Sequence, residues 1–319
     1  MNYNPCNQNA SPEVKAVLKY MAELPGKGVI LGQHTKTRQQ EELTYVQEVT
    51  GKLPALCGFE LLAYSPNINY ESCDEECLKE VNDNKDTLKE ALKWAEKKGL
   101  ITFTWHWFSP IGGFDKAFYA RNTDFDVPKA LIDGTKENIA FISDMDYMAE
   151  QLKIFQKKRV PILWRPFHEA EGEWFWWGKH GVGVAKQLYR MMYDRYTNYH
   201  HLDNLIWVWN SPRIDGYVGD DVCDVISRDM YPPAHQHTDQ KEAYENLCHI
   251  TQETKIRAIA EIGTIPSVSQ LSNSKVPWVW YMTWCGEHVT SEKYTDKSEL
   301  NRSYHDAYAI TLDKLPKLY

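Results

Sequence analysis

The sequence predicts a (β/α)8 TIM barrel, a single domain over residues 1–319, on three observations. Eight short runs rich in β-branched and aromatic residues alternate with stretches of helical periodicity. The runs are nearly continuously apolar, as parallel strands buried on both faces require. The polar residues they contain gather at the same end of one run after another, where a barrel places its chemistry. A doubly wound open sheet is the alternative, although no Gly-x-Gly-x-x-Gly follows the first run.

The runs are residues 29–33 (VILGQ), 55–60 (ALCGFE), 100–105 (LITFTW) and 160–167 (VPILWRPF). They continue as 204–210 (NLIWVWN), 223–230 (CDVISRDM), 257–262 (RAIAEI) and 276–284 (VPWVWYMTW). Each is too short and too β-rich to be a helix. Between the second and third, Leu88, Ala91, Leu92 and Ala95 share one helical face, which Lys97-Lys98-Gly99 ends. Met145, Met148, Ala149, Leu152 and Phe155 repeat that pattern before the fourth run. Ala185, Leu188, Met192, Tyr196 and Tyr199 repeat it after. Residues 211–221 are short and turn-rich, so the fifth crossover helix is reduced or absent. No repeat, linker or appended binding module is expected.

Composition narrows the function. The formal charge is −8 with no basic run, which argues against a nucleic-acid or acidic-membrane partner. No stretch approaches the roughly 18 apolar residues of a membrane span. Residues 1–10 (MNYNPCNQNA) are polar and lack an apolar h-region, so no signal peptide is expected in this chain. Seven cysteines leave at least one unpaired. Cys73 and Cys77 could bridge locally but read better as free thiols. Their spacing resembles half a zinc site, yet no His or Cys cluster follows at ligand spacing. With 12 Trp, 19 Tyr and 10 Phe, the chain holds more aromatic surface than a core asks for, so some indoles should face a ligand.

The strand ends carry Glu60, Trp105-His106-Trp107, His168-Glu169, Asp229-Met230-Tyr231, Glu261 and Trp284. Such groups are costly to bury for packing alone. Glu169 and Glu261 each end an otherwise apolar run, and from strands four and seven they would face each other across the barrel mouth. Cleaving a glycosidic bond takes two such carboxyls, one to protonate the leaving oxygen and one to attack carbon or activate water. The plain alternative is a salt bridge, with Arg165 a ready partner for Glu169 on the same strand face. Trp174 suits stacking on the C–H face of a sugar. Phe175 and Trp176 suit loop packing, and Trp207 and Trp209 suit the core. His106 and His168 could bond a sugar hydroxyl and orient a carboxylate, and Tyr231 could donate its phenolic hydrogen to one. Glu169, Glu171 and Glu173 with His168 and His180 invite a metal reading. The segment is no His-Glu-x-x-His helix, and Trp174 and Trp177 make a poor shell, so no catalytic metal or other cofactor is expected.

The segment WRPFHEAEGEWFWWG resembles the acid/base segment of glycoside hydrolase family 26. TWHW, NLIWVWN, DMY, AEIG and Trp284 match further family segments in order, over about residues 29–285. The resemblance implies a (β/α)8 barrel that hydrolyses β-1,4-mannan internally with retention of configuration. It implies Glu169 as general acid/base, Glu261 as nucleophile, Tyr231 bonded to the nucleophile and His168 beside the acid/base. His106, Trp174 and Trp284 would line the subsites around the cleavage point. Two departures bear on substrate preference: the extra charges of Glu171 and Glu173, and Cys285 where a larger polar residue such as Arg is common. β-1,3-1,4-Glucan or β-1,3-xylan stay open as substrates, and so does a non-catalytic sugar-binding role. A polysaccharide partner implies a secreted or periplasmic protein, and a monomer is the expectation.

Overall fold

A computed structural model describes residues 4–251 and 255–319, so the first three residues of the polar N-terminal stretch lie outside the described residues. Every one of the eight runs forms a strand: β1 (Val29–His34), β2 (Leu56–Glu60), β3 (Leu100–Thr104), β4 (Ile162–Arg165), β5 (Leu205–Asn210), β6 (Val225–Met230), β7 (Ile256–Ile262) and β8 (Trp280–Thr283). Neighbours pair in parallel, and β8 returns to β1 from Ile30↔Trp280 to Gln33↔Thr283, which closes the barrel. A two-residue β9 (Ala309–Ile310) also pairs with the start of β1, and it is too short to register as an apolar run. Prolines trim two strands. Pro161 and Pro166 flank β4 and Pro277 precedes β8, because proline cannot donate to the ladder.

Helix α1 (Pro12–Glu23) precedes the barrel, α2 (Glu41–Thr50) follows β1, and α3 (Glu75–Asp83) and α4 (Thr87–Glu96) follow β2. The short α5 (Val127–Ala130) and long α6 (Lys136–Lys157) follow β3, and α7 (Val182–Asp194) follows β4. Later crossovers are α8 (Lys241–Cys248) and α9 (Val268–Ser274). As expected, β5 is followed only by two 3-10 turns, Ile214–Gly216 and Asp220–Val222. The three periodic faces fall on α4, α6 and α7, with one departure. A π-helical turn, Arg195–Tyr199, continues α7, and its extra residue per turn breaks the 3.6 phase. Tyr196 therefore stays buried while Tyr199 turns out to solvent. At the end of α4 the left-handed residue is Lys98, whereas Gly99 is needed because a Cβ there would strike the Trp94 indole.

Alternation along the strands sorts the side chains into two layers. Ile30, Leu56, Leu100, Leu163, Val208 and Trp280 fill the barrel interior, where Val14, Val17, Leu18 and Met21 of α1 join the same packed cluster. Phe59, Phe103, Trp164, Trp207, Trp209 and Tyr281 point out into the layer beneath the helices, so Trp207 and Trp209 are core. Carried to the strand ends, the inward parity delivers His34, Glu60, Thr104, Arg165, Asn210 and Asp229 to the barrel mouth. The same alternation that builds the core thus builds a polar rim. Leu18→Ala should lower the unfolding free energy by about 2–5 kcal/mol, the range for a buried leucine, as read from urea denaturation with an unchanged slope. A loss under about 0.5 kcal/mol, the size of a surface change, would show that α1 does not seal the barrel.

Candidate active site

Glu261 reaches the mouth by a break in the pattern. On β7, Ile256 and Ala258 face inward and Ile259 outward, so strict alternation would point Glu261 outward as well. Both neighbours record one extra residue in β7. Arg228↔Ile259 is followed on β6 by Asp229↔Glu261, and Ile259↔Tyr281 is followed on β8 by Ile262↔Thr283. This β-bulge at Ala260 turns Glu261 inward.

Glu169 arrives by a different device. β4 ends at Arg165, and Phe167 and Glu169 then adopt left-handed φ angles of 53° and 51°. Such angles are uncommon for residues with a Cβ and cluster at functional sites. Asn210 at the end of β5 holds the turn: its Oδ1 accepts from the Glu169 N–H (2.7 Å), while its Nδ2 donates to Asp229 (2.9 Å) and Ser227 (3.1 Å). As a result, the extended pattern does not run from Arg165 to Glu169, and the expected pairing of those two is corrected. Arg165 pairs instead with Glu261 and, at 2.8 Å, with Asp229, and it donates to Thr104 Oγ1 at 2.8 Å. The guanidinium is 1% exposed.

The two glutamates meet. Oxygens of Glu169, Asp229 and Glu261 all lie within 4.8 Å of one another. Arg165 and the phenol of Tyr231 (2.9 Å) hold the two oxygens of Glu261, and the Trp174 indole N–H donates to Glu169 Oε2 at 2.8 Å. Three carboxylates could ligate a cation, but Arg165 already supplies positive charge between two of them. Burial pushes the Glu169 carboxyl up to about 7, helped by the charge of Asp229. Burial likewise raises Asp229 to about 8, and Arg165 pulls against it. Burial raises Glu261 as well, with Arg165 opposing. Asp229 and Glu261, which share Arg165, titrate together. Glu261 receives both the guanidinium and the phenol, so it is the member best held as an anion.

Trp174 and Tyr231 stand 49% and 48% exposed at the mouth, while Phe175, Trp176 and Trp177 are buried. His106 joins the rim through Glu60, whose carboxylate accepts from the His106 backbone N–H (2.8 Å) and from ring Nδ1 (2.7 Å). Burial opposes charge on this imidazole, but the Glu60 carboxylate outweighs it and lifts its pKa to about 9. His168 differs from expectation. It is 1% exposed, beneath the surface, and its Nε2 faces His106 Nε2 at 3.2 Å, so it positions His106 rather than reaching a sugar. Burial and its charged neighbours His106 and Arg165 keep it neutral, so it accepts from the charged His106. Trp284 packs against His34 in a tilted pair with ring centroids 4.2 Å apart and lies 6.3 Å from His106, beside Cys285 in a cavity of about 350 Å³. Glu171 is half-buried, and burial raises its carboxyl above the usual range.

From the sequence, Glu60 and Asp229 stood out only as polar strand ends without a role and Arg165 only as a salt-bridge partner, while Asn210 and His34 were not singled out. The signal was present in their inward parity at strand ends. The closed barrel with facing glutamates on β4 and β7 defines the class of (β/α)8 barrels that carry a paired acid at the mouth. The model of glycosyl hydrolase family 26 matches residues 6–314, and the chain belongs to that family. It is 36% identical to a mannan endo-1,4-beta-mannosidase of Thermothelomyces thermophilus, over 97% of this chain and 62% of that protein. It is 30% identical to mannan endo-1,4-beta-mannosidase B of Piromyces sp, over 97% of this chain and 53% of that one. The chain thus spans between half and two thirds of these relatives. Among solved structures, the GH26-CBM35 beta-(1,4)-mannanase of Podospora anserina superposes with a TM-score of 0.88 at 34% identity, covering 98% of this chain and 69% of that one. A beta-mannanase from a symbiotic protist of the termite Reticulitermes speratus, complexed with gluco-manno-oligosaccharide, gives 0.87 at 29%, covering 98% and 97%.

His106 titrates at about 9 in the fold against about 6.5 in an unfolded chain. Its pairing with Glu60 therefore contributes stability in full below about pH 6.5 and loses it as pH rises through about 9. Glu60→Gln should bring the His106 midpoint down to neutrality or below, read from imidazole NMR shifts, and flatten the alkaline loss of stability. A midpoint still near 9 would assign the shift to another partner.

Proposed function

We propose that the protein is a retaining glycoside hydrolase, an endo-β-1,4-mannanase that cleaves mannan, galactomannan or glucomannan by double displacement. The spacing of the two glutamates carries this reading. With one oxygen of each carboxyl within 4.8 Å of the other, the pair stands closer to the about 5–5.5 Å of retaining enzymes than to the about 6.5–9.5 Å of inverting ones. The names of the relatives support mannan as the backbone.

Glu169, raised to about 7, begins protonated. Its Oε2 is occupied by Trp174, which leaves Oε1 to carry the proton to the glycosidic oxygen. Glu261 attacks the anomeric carbon, a C–O bond to the leaving sugar breaks, and a glycosyl ester forms. Arg165 and Tyr231 hold Glu261 ionised and aimed until that moment. The ester removes a negative charge from the cluster, so the Glu169 pKa falls and its carboxylate can take a proton from water. Water then attacks the same carbon, and Glu261 leaves as the carboxylate. Trp174 offers an exposed indole for the sugar face, with His106 and Trp284 lining the other side of the cleavage point. The working form is a monomer acting outside the cell, where the polymer is.

Glu261→Ala should lose nearly all turnover on mannan yet still bind manno-oligosaccharide by calorimetry, and retained activity would remove it from the nucleophile role. Because the acid must be protonated, kcat/KM should fall as pH rises through about 7. Glu169→Ala should abolish that limb and keep more activity on a dinitrophenyl glycoside, whose leaving group needs no proton, than on the polymer. A panel of mannan, glucomannan, mixed-linkage glucan and xylan tests the backbone, and faster release from glucan or xylan would overturn the mannan assignment.

A further inference from the structure

On the mouth side of the barrel, the connection after β2 (residues 61–74) and the one after β3 (residues 105–126) run side by side. Single polar contacts join them. Asn69 Nδ2 donates to the Gly113 carbonyl (3.3 Å), and the Asp115 N–H donates to Ser72 Oγ (3.1 Å). The Asp74 N–H donates to Asp115 Oδ1 (3.3 Å), and Lys116 bridges Glu76 and Glu80 on α3 at 2.9 and 3.1 Å. At the centre of this seam, one donor atom each from Cys73, Cys77 and Asp115 lies within 4.8 Å of the other two. Cys73 precedes the N-cap Asp74 and Cys77 lies in the first turn of α3, so their spacing brings both sulfurs to one side of the helix start. Cys77 is 1% exposed and Cys73 9%.

We propose that Cys73 Sγ, Cys77 Sγ and the Asp115 carboxylate form a structural site for zinc or a similar thiophilic divalent cation, with water as the fourth ligand. The Cys-x3-Cys spacing is within the range of zinc sites, and thiolate with carboxylate is a donor set zinc accepts. Tetrahedral bonds of about 2.3 Å to sulfur and about 2.0–2.2 Å to oxygen put donors roughly 3.5–3.8 Å apart, which small side-chain rotations reach. The third donor separates this reading from a disulfide. An S–S bond would engage two sulfurs and leave the Asp115 carboxylate against an uncharged group, whereas a cation uses all three. Two thiolates and a carboxylate around a divalent ion leave one net negative charge, and the Lys116 ammonium stands close enough to act on Cys77 and offset it. The ion would fasten together two segments that single hydrogen bonds now join. The second segment carries Phe118, whose ring packs on His106 at 5.2 Å. The inference is independent of the substrate and of the reaction.

The test uses the full chain, reduced and stripped with a chelator, then titrated with Zn2+ and separately with Co2+. The site predicts one tight equivalent, a cobalt–thiolate charge-transfer absorption and a rise in Tm with zinc. Cys77→Ser should lose all three, and Asp115→Asn should keep the fold but bind more weakly. Equal binding by wild type and Cys77→Ser, or cobalt binding without the thiolate band, would place the ion elsewhere and overturn the proposal. So would a Cys73–Cys77 disulfide in the protein as isolated, seen as a mass deficit of two hydrogens.

Discussion

One buried cation organises the barrel mouth. Arg165, sealed from solvent, lies against both Asp229 and Glu261 and donates to Thr104. A buried ion pair adds little net stability once desolvation is counted, but removing one partner strands the other charge at a cost of several kcal/mol. This arrangement therefore specifies geometry more than it stabilises the fold. Three carboxylates around one guanidinium cannot all ionise together, so the cluster keeps a proton. Glu169, which accepts from the neutral Trp174 indole and pairs with no guanidinium, has its carboxyl raised to about 7 by burial and is the member poised to give a proton to a ligand. The acid and the anion of the pair are thus set by where the arginine points.

Two local departures from regular backbone make that possible. The extra residue at Ala260 reverses the facing of Glu261, and the left-handed turns at Phe167 and Glu169 lift the second acid over the end of β4. Neither serves packing. Asn210 compensates for the second by tying the Glu169 backbone to Asp229, so each acid is positioned through the other's neighbours. The rest of the rim is ordinary alternation continued past the core.

That division also explains what the sequence revealed. Eight apolar runs became eight strands because burial on both faces leaves a strong compositional mark. Glu169 and Glu261 were recognisable as charges ending such runs, and the exposed Trp174 beside buried Phe175 and Trp176 followed from their order in the loop. The partner of Arg165 was not recognisable, because no residue pattern announces a positive φ at Phe167 or Glu169. The bulge left no trace either: read with a period of two, RAIAEI puts Glu261 on the wrong face. His168 looked like a ligand-facing residue from its neighbour, and only packing beneath Phe175 and Trp177 shows that it supports His106. Asp115 stands far along the chain from Cys73 and Cys77, so spacing alone hid their convergence.

The proposed double displacement turns on Glu261 being the anion that bonds to sugar. A 2-deoxy-2-fluoromannoside with a good leaving group slows both displacement steps but is activated for the first, so a covalent intermediate accumulates. Digestion and mass spectrometry of the inactivated protein should find the fluorosugar on the peptide that carries Glu261, through its side-chain carboxyl. A label on Glu169 or Asp229, or turnover without any adduct and with inverted product, would contradict it.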